Sequence, residues 1–327
     1  MMNPEVQATP ANERPSRPRL SIVVPCYNEE EVLPETNRRL MSLLSRLVEL
    51  ALISAESVVH YVDDGSRDRT WALIEALASA DSRVHGIKLS RNRGHQFALL
   101  AGLLSVEGDA VVSIDADLQD DITAIEEMVG EYRNGAEVVY GVRKSRQVDS
   151  TFKRRTALLY YALMQRLGVD LVHNHADFRL LGRRAIEVIR QYDEVNVFLR
   201  GIVPLIGFKS ATVKYDRAER FAGVSKYPLR KMLTFALEGI TSFSIVPLRL
   251  ITALGFFISL FSFSMILYVL YGALFKDLPV PGWASSVIPI YLLGGIQLLS
   301  IGILGEYVAK IYLETKRRPR FVIDKII

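Results

Sequence analysis

From Leu250 to Phe275 the chain carries no Asp, Glu, Lys or Arg. A surface helix of a soluble protein keeps charge on its outer face, so a run like this does not fit one. At about 1.5 Å per residue it is long enough to cross a hydrocarbon core of about 30 Å. A second uncharged run, Val287 to Leu304, follows after a short loop that holds Lys276 and Asp277. Two buried core helices are the alternative, but soluble helices seldom stay apolar all round for so long, and a hairpin of two membrane spans is the better account. Arg249 precedes the first run, and Lys316, Arg317, Arg318 and Arg320 follow the second. The positive-inside rule then puts both flanks in the cytoplasm.

The expected organisation is an N-terminal segment 1–19, a large cytosolic domain 20–226, a juxtamembrane amphipathic region 227–249, a first span 250–275, an extracytoplasmic loop 276–286, a second span 287–309 and a basic cytosolic tail 310–327. Met1 to Arg19 is rich in Pro and charge and lacks an apolar core, so it reads as neither a signal peptide nor an ordered element. Cys26 is the one cysteine, which excludes an intrachain disulfide and fits a reducing compartment. It reads as a small strand-end residue. From Tyr227 to Arg249, basic positions (Arg230, Lys231) alternate with apolar ones at near-helical spacing, as in an interfacial helix at the lipid headgroups; a core helix is the alternative. Gln297, an amide inside the second span, favours a neighbouring helix or another subunit over lipid, which hints at a homo-oligomer. No nucleic-acid partner is expected.

In the N-terminal half, short apolar runs alternate with helix-like segments. Leu20–Val24, Val58–Val62, Val84–Leu89, Ala110–Ile114 and Glu137–Tyr140 read as strands, rich in Val and Ile and bounded by turn residues. Glu31–Leu50, Asp68–Ala80, His95–Val106 and Thr123–Asn134 read as helices between them. That order gives an α/β fold with a mainly parallel sheet, helices on both faces and right-handed crossovers. Ligands of such sheets bind beyond the carboxyl ends of the strands. There this chain concentrates polar, charged and aromatic groups, in "PCYNEEE", "VDDGSRDRT", "LSRNRGHQ" and "IDADLQD".

Asp115 and Asp117 flank the small Ala116 where the fourth apolar run ends. In extended backbone residues two apart point the same way, so the two carboxylates would converge, Ala116 would leave room for a bulky ligand, and Gln119 continues the spacing. Mg²⁺ or Mn²⁺ is commonly held by one or two carboxylates together with substrate phosphates. A solvated acidic turn is the other reading of the same residues. No Gly-x-Gly-x-x-Gly follows the first strand, which disfavours a nicotinamide or flavin enzyme, and the Gly-x-x-x-x-Gly-Lys-Ser/Thr loop of ATPases is absent too.

"VVPCYNEEE", "VDDGSRDRT" and "IDADLQD", in that order and at these intervals, resemble the family 2 glycosyltransferases with a GT-A fold. "ADFRLLGR", "RAERFAGVSKYPLRKM", "LEGITSFSIVPLRL" and "GGIQLLSIGILGEY" narrow the resemblance to polyprenyl-phosphate glycosyltransferases, and it looks most like the bactoprenol glucosyltransferases. Dolichol-phosphate mannose synthases share most of it. The ordered set, rather than any single motif, is what is specific. The resemblance implies a GT-A Rossmann-like domain with interfacial helices and a two-helix membrane hairpin. It also implies an enzyme of the bacterial inner membrane that moves a hexose, foremost glucose from UDP-glucose, onto undecaprenyl phosphate for surface-glycan or O-antigen modification; the same reaction with GDP-mannose, UDP-GlcNAc or a UDP-aminoarabinose type of donor is the alternative.

It further implies that Pro25, Tyr27 and Glu29 line the base and ribose, with Asp63 or Asp64 accepting from the uracil imide, and that Ala116 borders the donor; Arg91 reads equally as a contact to the donor diphosphate or ribose and as a solvated loop cation. Asp115 and Asp117, followed by Gln119, would hold Mg²⁺ or Mn²⁺ against the diphosphate leaving group. The acceptor phosphate, with a second pKa near about 6, is already anionic near neutral pH, so no strong general base is required. What the reaction needs is cationic positioning of two anions. Arg143, Arg146, Arg179, Arg220, Ser225 and Lys226 are the candidates for it, and Asp177 would orient the acceptor, contact a sugar hydroxyl or pair with Arg179. Lys153, Arg154 and Arg155 read equally as a solvated face. Single displacement would invert the anomeric centre.

Two rivals share some of these features. A processive polysaccharide synthase would add a Gln-x-x-Arg-Trp element and more spans; the two tryptophans here, Trp71 and Trp283, sit in a helix and in the loop between the apolar runs. A membrane-anchored nucleotide-sugar sensor would have no need of the Asp115 and Asp117 pair.

Overall fold

The computed structural model describes residues 14–144, 175–194, 199–216, 246–275 and 283–327. They fall into two compact units. The first takes the described residues up to 216 together with 318–327; the second takes the described residues between 246 and 317.

The first unit is built on one eight-stranded sheet. Its strands are β1 Leu20–Cys26, β2 Val58–Asp63, β3 Val84–Leu89, β4 Ala110–Ser113, β5 Val138–Arg143, β6 His175–Gly182, β7 Ser210–Tyr215 and β8 Ile323–Ile326. The spatial order is β7-β5-β6-β4-β1-β2-β3-β8. β1 to β4 run parallel, as do β5 and β7, whereas β6 is antiparallel to both β4 and β5, and β8 is antiparallel to β3. The sheet is therefore mixed and mainly parallel. Every residue of β1 is buried, as expected of a central strand covered on both faces.

Helices cover the two faces: α1 Leu33–Glu49, α2 Thr70–Ala80, α3 His95–Ser105, α4 Ala124–Arg133, α5 Arg183–Arg190 and α6 Leu199–Leu205. Leu33, Leu40, Leu43, Leu44 and Leu47 recur at helical spacing along α1 and are its buried face, and Pro34 fits the first turn, where its missing N–H has no partner to lose. One core cluster joins α1 and α4 to the sheet; the other joins α3, α5 and α6 to its opposite side.

Three strands were not anticipated. β6 buries Asp177 and Arg179 inside a strand, so its charged sequence hides its status. β7 buries only Val213 and Tyr215, and β8 holds Asp324 and Lys325 at a sheet edge, in what the sequence presents as a basic tail. Arg14 corrects the reading of 1–19 as wholly without order. Its guanidinium donates to Glu137 at 2.6 Å and to the Ala136 carbonyl at 2.8 Å, and lies over the Tyr132 ring.

In the second unit, α7 spans Val246–Phe275 and α8 spans Trp283–Thr315. Within α8 the 24 residues Leu292–Thr315 are long and apolar enough to cross a membrane. Large apolar side chains stand exposed on both helices, among them Phe256, Phe257, Leu298 and Ile301, each with more than half of its surface open. α8 continues past the expected limit of 309. Most of the predicted amphipathic region 227–249 lies outside the described residues.

Candidate active site

The loops after β1 and β2 are laced into one body. Asn28, at φ 56°, donates its backbone N–H to Ser66 Oγ at 3.0 Å and accepts from the Arg67 N–H at 2.8 Å through Oδ1. The Glu29 N–H donates to Thr70 Oγ1 at 2.9 Å. Pro25 is buried at the end of β1, whereas Tyr27 leaves 40% of its surface open.

The two aspartates that end β2 have different jobs. Asp63 is fully buried; Oδ1 accepts from the Ser66 N–H at 3.2 Å while Oδ2 is buried with no hydrogen-bond partner. Burial pushes its carboxyl up, against the pull of Ser66 and Lys88. Asp64 accepts the backbone N–H groups of Arg93 at 2.7 Å and Gly94 at 2.8 Å, and so fastens the loop after β3. Gly65, at φ +68°, lets that loop approach: a Cβ there would stand 2.6 Å from the Asn92 nitrogen. Arg91 is exposed on the same loop.

That loop delivers His95, the first residue of α3, to the mouth of the fourth strand. Its Nε2 lies 3.5 Å from both Asp115 Oδ1 and Asp177 Oδ2. Burial alone would lower the imidazole, but Asp177 and Asp115 outweigh it and raise its proton affinity. Asp177 is buried on β6, and Ser113 on β4 donates to its carbonyl at 2.5 Å. The Asp177 carboxylate accepts from Arg179 Nη2 at 2.5 Å, Arg200 Nη2 at 3.0 Å and Gln96 Nε2 at 3.1 Å. Burial opposes its ionisation, yet Arg200, His95 and Arg179 hold it well below the usual carboxylate range. Arg179 is itself only 1% exposed and also donates to the Leu199 carbonyl, whereas the Arg200 side chain is 42% open.

β4 ends at Ser113, and Ala116 and Asp117 lie in a turn, with Leu118 at φ 56° and the Gln119 N–H donated to Asp117 Oδ1 at 3.2 Å. Turn geometry, not strand alternation, therefore sets the relation of Asp115 to Asp117. The Ala116 side chain is in the core and its carbonyl accepts from Thr36 Oγ1 at 2.8 Å. Asp115 keeps 38% of its side chain open. Its carboxyl is raised to about 6, chiefly by loss of solvation, with His95 opposing the rise and Asp177, Asp120 and Asp117 adding to it. Beyond the turn, buried Asp120 accepts from Tyr215 Oη at 2.6 Å and Arg143 Nη2 at 3.2 Å. Arg143, expected at the acceptor, is in an internal triad.

Residues 21–190 match the model of the family described as Glycosyl transferase family 2. The chain belongs to glycosyl transferase family 2. A glycosyltransferase of Bacillus subtilis, YkoT, is 54% identical over 94% of this chain and 92% of its own. The SfII prophage-derived bactoprenol glucosyl transferase of Shigella flexneri is 40% identical over 94% of this chain and 98% of its own. A prophage bactoprenol glucosyl transferase homolog of Escherichia coli is 38% identical over 94% of this chain and 99% of its own. This family 2 transferase is thus closely related to bactoprenol glucosyl transferases.

In the transferase, then, four strand ends and β6 bring Tyr27, Glu29, Asp63, Asp64, Arg91, Asp115, Asp117, Gln119, Asp177 and Arg179 to one edge of the sheet. Arg146, Arg220, Ser225 and Lys226 lie outside the described residues, as do Lys153 to Arg155. Sequence reasoning did not single out His95 or Arg200. His95 lies in "LSRNRGHQ", among the polar strand-end segments, which is a signal for it; Arg200 reaches Asp177 through the packing of α6 beside β6. No group of three or more His, Cys, Asp or Glu side chains is arranged for a metal among the described residues. A pair of loop carboxylates that leaves further positions to phosphate oxygens nevertheless suits Mg²⁺ or Mn²⁺, and a cation would favour the ionised Asp115 that loss of solvation, and to a lesser degree Asp177, Asp120 and Asp117, disfavour.

Proposed function

We propose that this transferase moves glucose from UDP-glucose onto undecaprenyl phosphate with inversion, and that it does so at the bacterial inner membrane. The product would be a lipid-linked sugar for surface-glycan or O-antigen modification. The observation that carries the reading is the 40% identity, over 94% of the chain, to proteins named bactoprenol glucosyl transferase. The strand-end cluster supplies the chemistry expected of such an enzyme.

Tyr27 offers an exposed flat face to the base, and Glu29 an acceptor for ribose hydroxyls. Asp63 has one buried carboxylate oxygen with no hydrogen-bond partner, which suits it to accept from a base imide. Asp115 and Asp117 would hold Mg²⁺ or Mn²⁺, which when bound neutralises the diphosphate leaving group. Asp177, kept ionised by Arg179, Arg200 and His95, is a poor proton acceptor. That suits an acceptor that arrives already anionic. The open part of Arg200 offers the cation that such an acceptor needs. The exposed apolar surfaces of α7 and α8 suit lipid as their solvent. The chain leaves the first unit for these helices and returns to it as β8, which supports two crossings over one, with both flanks cytoplasmic.

The test is transfer of radiolabelled glucose by the purified full-length protein, given UDP-glucose, undecaprenyl phosphate and Mg²⁺ or Mn²⁺. Turnover that chelation abolishes and that Asp117→Asn lowers by about 10²-fold or more supports the reading. Tight nucleotide-sugar binding without turnover across a panel of donors would favour a sensor. A product with retained α linkage would refute inversion.

A further inference from the structure

We propose that the C-terminal segment Arg318–Ile327 is a positioning strap for the active-site loop Ser90–Gly94, so that the last strand of the chain sets donor affinity. The proposal rests on the reading of the strand-end cluster as the transfer site.

β8 pairs with β3 through Ile87↔Ile326, Lys88↔Lys325 and Leu89↔Ile323, with an irregularity between Lys88 and Leu89. Gly86 and Ile327 exchange both backbone hydrogen bonds, at 3.0 and 2.9 Å. A Cβ on Gly86 would stand 2.9 Å from Ile327 Cγ1 and 2.6 Å from Ile74 Cγ2, so the glycine makes the seat for Ile327. Ile327 packs on the core cluster under α1, while Phe321 and Ile323 pack on the cluster under α3. These contacts anchor the segment at both sides of the sheet. Arg320 adds a bond from Nη1 to the Tyr192 carbonyl at 2.5 Å.

The strap continues along β3 into the loop that follows. The Ser90 N–H donates to the Val322 carbonyl at 2.9 Å, and Arg93 Nη2 donates to the Pro319 carbonyl at 3.2 Å. On its other side the loop is held by Asp64, through the N–H groups of Arg93 and Gly94, and by the close fit over Gly65. Arg93 is thus gripped twice, its main chain by Asp64 and its side chain by the strap. The next residue but one is His95, 3.5 Å from both Asp115 and Asp177. A loop pinned by two backbone amides on one side alone can pivot about them; the strap is the second line of attachment that stops the pivot. Only Lys316 and Arg317 separate the end of α8 from the strap, so one continuous piece of chain runs from an apolar helix to the active-site loop.

The experiment compares the full-length protein in nanodiscs with a stop codon after Arg317 and, separately, with Arg93→Ala, which leaves β8 paired. Hydrogen exchange over residues 90–97 is read beside KM for the nucleotide sugar and for the lipid acceptor. Truncation is expected to deprotect the loop and raise donor KM by about 10-fold or more, leaving acceptor KM within about twofold. A peptide of residues 318–327 added in trans is expected to restore both. Arg93→Ala moves both readouts in the same direction by a smaller factor, and it decides the matter if the truncated chain fails to fold. Unchanged loop protection and donor KM in Arg93→Ala, with either the same in the truncated chain or its misfolding, overturn the proposal. Should the wild-type protein turn over no nucleotide sugar, the transfer reading fails; loop protection in the two variants still decides whether the strap holds the loop.

Discussion

Removing a single oxygen tests how the acidic loop after β4 is held. Tyr215 Oη donates to Asp120 Oδ1 at 2.6 Å, and Arg143 reaches the same oxygen at 3.2 Å and the hydroxyl at 3.3 Å. Asp120 is 4% exposed and Tyr215 2%. Burial, with Asp120 adding to it, pushes the Tyr215 hydroxyl up, so it remains a donor throughout the accessible pH range. Tyr215→Phe keeps the ring and its edge contact with Phe178, whose centroid is 5.2 Å away. It deletes the hydrogen bond to the charged Asp120, worth about 1.5–3 kcal/mol, together with the longer 3.3 Å bond that the hydroxyl accepts from Arg143 Nε. Because Arg143 still satisfies Asp120, the cost belongs near about 2 kcal/mol, or roughly 4–8 °C in melting temperature for a unit of this size. Asp120→Ala removes the buried carboxylate that Tyr215 and Arg143 share, leaving only their mutual 3.3 Å bond, and is expected to cost about 3–5 kcal/mol. The double variant should then show a coupling of about 1.5–2 kcal/mol. Trp71 in α2 reports on the first unit once Trp283, the second tryptophan, is replaced by Phe, so fluorescence-detected melting of the detergent-solubilised protein is a direct assay. A Tyr215→Phe loss under about 0.5 kcal/mol, the range of an ordinary surface substitution, would refute the reasoning.

Two further outcomes follow from other parts of the sheet. Gly65→Ala forces a side chain into a φ of +68° and against Asn92 and Arg91; the left-handed strain alone costs about 1–2 kcal/mol. It should raise donor KM while leaving acceptor KM unchanged, and equal donor KM in variant and wild type would count against it. His60 stacks on His85 across β2 and β3 at 5.0 Å, and burial, then His85 and Arg19, push it down to about 3. Its folded value lies below the unfolded value of about 6.5, so the contribution is full above that pH and is lost as pH falls toward 3. Between pH 7.5 and pH 5 the loss is about 2 kcal/mol, and His60→Gln should flatten the pH dependence of the melt over that interval. Parallel curves for the two proteins would exclude His60 as the source.

The alternation of Val- and Ile-rich runs with amphipathic segments was enough to place β1 to β5 and α1 to α4 within a few residues, because periodic burial is a local property of the chain. The two uncharged runs marked helices for the same reason, and the ordered motifs at the strand ends carried the family. β6 was hidden because its Asp177 and Arg179 are buried together as a pair, a stabilisation that exists only once the strand is flanked by β4 and β5. β8 was hidden because a short, half-charged edge strand has no periodicity of its own and is defined by its partner, β3. The site divides in the same way. The sequence by itself determined which chemistry gathers at the sheet edge, since Asp115, Asp117, Asp63 and Asp64 follow their strands directly. Tertiary structure decided that Asp64 clamps the neighbouring loop, that Arg143 turns to Asp120, and that His95 and Arg200 meet Asp177. Those relations join residues dozens of positions apart, and spacing along a chain carries no record of which side chains a fold brings within hydrogen-bond reach.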